Sequence, residues 1–88
     1  MNMEYNELKL RLLATLAKRE GTDSTSLTRE LSESGLEIEI HAVRMAVMRY
    51  YKLGLLKRKR SGGMFIYSLT DRGIQRLRWL QEQCRKPI

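Results

Sequence analysis

The sequence predicts a mostly α-helical fold with one small β-hairpin: three helices, a two-stranded ribbon and a closing helix in an α+β arrangement. Three observations predict it. Leucine, valine and isoleucine recur at helical spacing in four separate segments. Gly62-Gly63 sits between two strand-like runs, where a tight hairpin turn needs positive φ at both central positions. Short glycine- and hydroxyl-bearing stretches separate the segments, so no linker, repeat or low-complexity region divides the chain.

The first helix is expected over residues 4–19, with Leu8, Leu12 and Leu16 in one row and Leu10, Leu13 and Ala17 in an adjoining one. Gly21 is expected to cap its C-terminal end. The second helix is expected over 26–34, with Leu27 and Leu31 inward and an N-cap hydroxyl among Ser24, Thr25 and Ser26. Gly35 ends it. Leu36-Glu37-Ile38-Glu39-Ile40 alternates like a strand. It reads instead as a turn leading into a third helix over 39–53, because Val43, Val47 and Tyr50 continue at i, i+4, i+7. Glu37 and Glu39 then lie at the positive end of that helix. Gly54 closes it. The hairpin occupies 55–69, and pairing across Gly62-Gly63 sets Arg60 opposite Phe65, Arg58 opposite Tyr67 and Leu56 opposite Leu69. A last helix spans 71–86, with Thr70 as N-cap, Pro87 beyond its end, and Ile74, Leu77, Leu80 (or Gln81) and Cys84 inward.

Eighty-eight residues make one domain over 1–88, small enough for burial against a second copy to add useful stability. Net charge is +7, which points to an anionic partner. The distribution is sharper: residues 1–40 carry a net −3 and residues 41–88 a net +10. Charge segregated by element implies a basic face. With one cysteine there is no intrachain disulfide and no cysteine cluster for zinc, and with one histidine most catalytic and metal constellations are removed, so the chain is read as a non-enzyme without cofactor or metal. No run approaches the ~18 apolar residues of a membrane span, and charges interrupt residues 1–10 where a signal peptide needs an apolar stretch. A cytoplasmic, nucleoid-associated protein is expected.

Two local patterns carry a family resemblance. Val43, Val47, Tyr50, Gly54 and Leu55 match a helix that runs into Gly-Leu and a wing. Tyr67-Ser68-Leu69-Thr70-Asp71-Arg72-Gly73 is similar to the Tyr-x-Leu-Thr-x-x-Gly stretch that closes the wing in prokaryotic and archaeal winged-helix repressors. Over roughly residues 8–80 the chain thus resembles the winged helix-turn-helix DNA-binding family. Two features depart from its pattern. The segment from Leu31 to Val43 is about one residue longer than usual, and Glu37 and Glu39 stand where many relatives have serine or threonine on the DNA backbone. Carboxylates there repel phosphate unless they read cytosine or turn away.

The resemblance implies double-stranded DNA as partner, with the third helix in the major groove and the hairpin on phosphates or in the minor groove. Val43, Val47 and Tyr50 face inward, which leaves His41, Ala42, Arg44, Met45, Met48, Arg49 and Lys52 facing out. Arg44 is the base-reading candidate, because guanidinium pairs bidentately with guanine. Arg49 and Lys52 suit phosphates, as do Lys57, Arg58, Lys59 and Arg60 on the wing. A homodimer is expected through Leu10, Leu13 and Trp79, since Trp79 falls off the inner stripe of its helix. The reading is a transcription regulator with no small-molecule ligand. The alternatives are a winged-helix protein-interaction or architectural module in a replication, transcription or conjugation assembly, and RNA or single-strand binding through Phe65 and Tyr67. Beside these stand plainer assignments: His41 as a surface residue rather than a proton switch, Cys84 as a packing residue rather than a redox sensor. Arg72, Arg76 and Arg78 either solvate the last helix or touch phosphate.

Overall fold

A computed structural model describes residues 5–19 and 21–85, with side chains over 7–19 and 21–83. The element order is α1 (Tyr5–Ala17), α2 (Ser24–Glu33), α3 (Ile40–Lys52), β1 (Leu56–Ser61), β2 (Met64–Leu69) and α4 (Asp71–Arg85). The expected limits at positions 4 and 86, and the inner placement of Cys84, fall outside what is described. Residues 36–39 form no strand; after a turn at 34–35 they run as an irregular connection into α3.

One core joins all the elements. Leu12, Leu13 and Leu16 of α1 meet Leu27 and Leu31 of α2, and Val43, Ala46, Val47 and Tyr50 of α3. Leu55, Leu56, Tyr67, Leu77 and Leu80 close it from the hairpin and α4. Burying each such leucine contributes about 2 kcal/mol relative to leaving it exposed. Because α1 packs on α2, on β2 and on α4, it uses two apolar rows within the chain. That corrects the expected role of Leu13, which is fully buried and has no surface to offer a second copy.

The hairpin has the expected register, with Leu56, Arg58 and Arg60 opposite Leu69, Tyr67 and Phe65. Gly62 (φ 55°) and Gly63 (φ 82°) supply the positive φ values that a two-residue turn needs to match strand twist. A third segment joins the hairpin: Thr22 pairs with Tyr67 through N–H···O bonds of 3.0 and 2.9 Å in both directions. This bridge explains Gly21. That residue does not adopt a left-handed helix-capping conformation, and a Cβ on it would lie 2.7 Å from Ile66 Cγ2. Glycine is there because two chain segments pass close together, and the expected cap is withdrawn.

The start of α2 also differs from expectation. Its N-cap is Asp23, and the helix begins at Ser24. Asp23 Oδ2 accepts from the amides of Thr25 (3.1 Å) and Ser26 (3.3 Å), while Oδ1 accepts from the Ser26 hydroxyl at 2.7 Å. A carboxylate outcompetes a hydroxyl here because it places full negative charge at the positive helix end. The Ser26 hydroxyl bond is the main cause holding the Asp23 pKa below its ordinary value; desolvation opposes it, and the backbone amides reinforce it. A depressed folded-state pKa means that this stability is present above the unfolded value and is lost as pH falls through the folded one. Asp23→Ala is therefore expected to cost about 1 kcal/mol at neutral pH, and less in acid below the unfolded-state carboxyl pKa of about 3.9, as urea unfolding at several pH values would register. A cost that does not shrink in acid would contradict the capping role.

The last helix corrects its expected inner stripe. Gly73, Leu77 and Leu80 face the core, while Ile74 is exposed. Thr70 caps the helix as expected, accepting from Gly73 N at 3.0 Å while its own hydroxyl donates to Gly54 O at 2.6 Å. The Thr70 amide also donates to Leu55 O at 3.1 Å. These three bonds tie the end of α3, the start of the hairpin and the start of α4 into one junction.

Candidate nucleic-acid interface

Residues 40–69 contain seven lysines and arginines and no acidic residue. The fold brings this stretch to one side as α3 and the hairpin, which pack on each other. Burial of Val43, Ala46, Val47 and Tyr50 fixes which face of α3 turns outward. His41, Arg44, Met45, Met48, Arg49 and Lys52 are all exposed on it, so the expected outward set lies on one helix surface. Arg44 and Met48 border a cleft shared with Asp23, Ser24 and Thr25 at the start of α2 and with Gly63, Met64 and Phe65 of the hairpin. Arg49 lies on the other flank, beside Met45 and Lys52.

The four hairpin cations do not form one row. Strand pleating sends Arg58 and Arg60 to the face shared with Phe65 and Tyr67, and Lys57 and Lys59 to the other. The Arg58 guanidinium lies 4.2 Å from the Tyr51 ring centroid and 4.3 Å from that of Phe65, and Arg60 lies 5.5 Å from Phe65. Arg58 is thus held between a helix aromatic and a wing aromatic, each contact contributing about 0.5–1 kcal/mol at a partly exposed site. It fixes the wing against α3. From sequence alone, Arg58 is expected only on phosphate and Tyr51 has no expected role. The signal for half of this was available, since the expected register already placed Phe65 diagonal to Arg58, within reach of long side chains.

The remaining predicted positions are more dispersed. Glu39 is the N-cap of α3 without a side-chain cap bond, and Glu37 is exposed just before it, so both carboxylates lie at the start of the basic helix. Leu10 is half-buried against the core. Trp79 is 49% exposed on α4, with the Arg76 guanidinium 5.6 Å from its ring centroid. Among the described residues no cluster of His, Cys, Asp or Glu could hold a metal ion. No described helix is long and apolar enough to cross a membrane.

Comparison with known proteins fits this geometry. A family model described as PaaX-like protein matches residues 10–73. Among solved structures, a PadR family transcriptional regulator from Eggerthella lenta is 27% identical, with a TM-score of 0.68 over 86% of this chain and 76% of its own. The AntR antimony-specific transcriptional repressor is 28% identical, with a TM-score of 0.67 over 91% of this chain and 66% of its own. The YusO protein from Bacillus subtilis superposes with a TM-score of 0.73 at 19% identity; the chain covers 51% of it, about half its length. No curated protein matches the sequence. The shared architecture is the winged helix-turn-helix, with α2 and α3 as the helix-turn-helix and β1–β2 as the wing.

Proposed function

The chain belongs to the PaaX-like protein family, and from that membership we propose that it is a DNA-binding transcription regulator acting through α3 and the wing. One observation carries this reading. Within residues 40–69, α3 and the wing contribute seven lysines and arginines and no carboxylate, and Arg58 stacked between Tyr51 and Phe65 fixes their relative position. A preset helix–wing angle lets one module meet a groove and its flanking phosphates together. In this reading α3 enters the major groove with His41, Arg44, Met45 and Met48, while Arg49, Lys52, Lys57, Lys59 and Arg60 meet phosphate. The protein binds and does not catalyse. Selection from random duplex DNA tests it: enrichment of a motif is the expected result, and no retention of any duplex would overturn it.

Arg44 and Arg49 separate reading from clamping, because they occupy opposite flanks of α3. Arg44→Ala is expected to relax preference at one base position and cost about 1–3 kcal/mol on the best site. Arg49→Ala is expected to weaken strong and weak sites equally. Uniform loss from both variants across a site library would make α3 a phosphate clamp only.

The reading includes a homodimer, which would set two α3 helices about 34–36 Å apart on one face of DNA. It is supported by half-exposed Trp79 and by partly covered Leu10, with Leu13 no longer included. Trp79→Ala is expected to move sedimentation toward monomer at micromolar concentration. Wild-type protein that sediments as a monomer both free and on DNA would remove the dimer from the model.

A further inference from the structure

The most outward row of α3 is not its most basic one. His41, Met45, Met48 and Lys52 fall at i, i+4, i+7 and i+11, directly opposite the buried Val43, Ala46, Val47 and Tyr50. The two central positions are methionines, 54% and 44% exposed. Arg44 and Arg49 occupy the flanks, so guanidinium lies to either side of an apolar ridge rather than on its crest. Two exposed methionines on a helix otherwise rich in cations have no core to fill, and a thioether is at most a weak hydrogen-bond acceptor. A methionine crest therefore cannot distinguish bases by strong hydrogen bonds.

Resting on the DNA-binding reading, we infer that Met45 and Met48 read thymine by contact with its C5-methyl group in the major groove. The chemistry admits this feature before others. The thymine methyl is the apolar group that base edges present in the major groove, where apolar side chains meet it. A polar edge pressed against a methionine would lose its water without compensation, so adenine, guanine and cytosine at the crest are disfavoured. Flanking cations supply attraction to the phosphates on both sides of the groove, and the absence of carboxylates from α3 favours DNA over a basic protein partner for this surface.

Uracil in place of thymine removes the methyl and keeps base pairing, so it isolates the contact. The probe is a duplex obtained by selection from random sequence, resynthesised with uracil at one thymine at a time. Burial of one methyl corresponds to roughly a fourfold change in affinity, so about three- to fivefold weakening is expected at one or two thymines per half-site. Met45→Ala and Met48→Ala should each abolish the thymine–uracil difference at a different position, with unchanged circular dichroism because both side chains are exposed. Equal binding of thymine and uracil duplexes would overturn the inference and leave DNA binding standing. So would a uracil penalty that persists in the double variant, or duplex retention without any enriched motif. Failure to retain any duplex would instead defeat the DNA-binding reading itself.

Discussion

Replacing Gly73 by alanine is expected to destabilise the protein by about 3 kcal/mol, a large share of what a domain of this size possesses. On helix propensity alone the sign would be opposite, since alanine is favoured over glycine within a helix by about 1 kcal/mol. Close packing reverses it. A Cβ at position 73 would lie 2.1 Å from the Leu55 carbonyl oxygen and 3.1 Å from both Leu55 C and Leu69 Cδ2. The Leu55 carbonyl cannot retreat freely, because it accepts the Thr70 amide while the Thr70 hydroxyl holds Gly54 O and caps Gly73 N. Relief of the clash therefore breaks the cap that starts α4, adding about 1 kcal/mol to the overpacking cost. Gly63→Ala is the comparison: its φ of 82° is unfavourable, but a Cβ there meets nothing within 4 Å, so about 1 kcal/mol is expected. Urea unfolding of both variants decides the point. Equal midpoints would mean that α4 does not pass as close to the start of the wing as described.

The same glycine marks the boundary of what the sequence could reveal. The closing pattern Leu69-Thr70-x-x-Gly73 was readable as a motif, and Thr70 was readable as a cap, because both depend on local spacing. That Gly73 replaces Ile74 on the inner face follows from the Leu55 backbone passing over it, a contact between segments 18 positions apart. Hairpin register was legible for the opposite reason: once Gly62-Gly63 fixes a two-residue turn, each opposed pair follows by counting. Thr22–Tyr67 pairing, the close approach at Gly21 and the full burial of Leu13 all depend on how distant elements stack, and periodicity within one helix does not encode that. For the candidate site, the outward face of α3 could be read from its buried stripe. The Arg58 stack could be read only on its wing side, because Tyr51 reaches it from another element.

Arg58 determines how the electrostatic role of the wing should be tested. Changing all four cations would remove the stack that orients the wing together with the charge, confounding position with attraction. Replacing Lys57, Lys59 and Arg60 by alanine leaves Arg58 between Tyr51 and Phe65 and removes charge from both faces of the hairpin. If four or five phosphates per subunit are neutralised by the wild type, log K falls with log salt at a slope of about −4. Each phosphate-bound cation accounts for about one unit of that slope, so the triple variant is expected near −1 to −2 per subunit. At 0.1 M salt this corresponds to a loss on the order of a hundredfold or more, the largest binding effect expected from this surface. The loss should be independent of sequence, because lysine on phosphate positions the protein without reading bases. Arg58→Ala provides the contrast: one unit of slope at most, accompanied by faster amide exchange in β1 and β2 as the wing loses its hold on α3. A triple variant with the wild-type slope would take the wing off the DNA and leave α3 to bind alone.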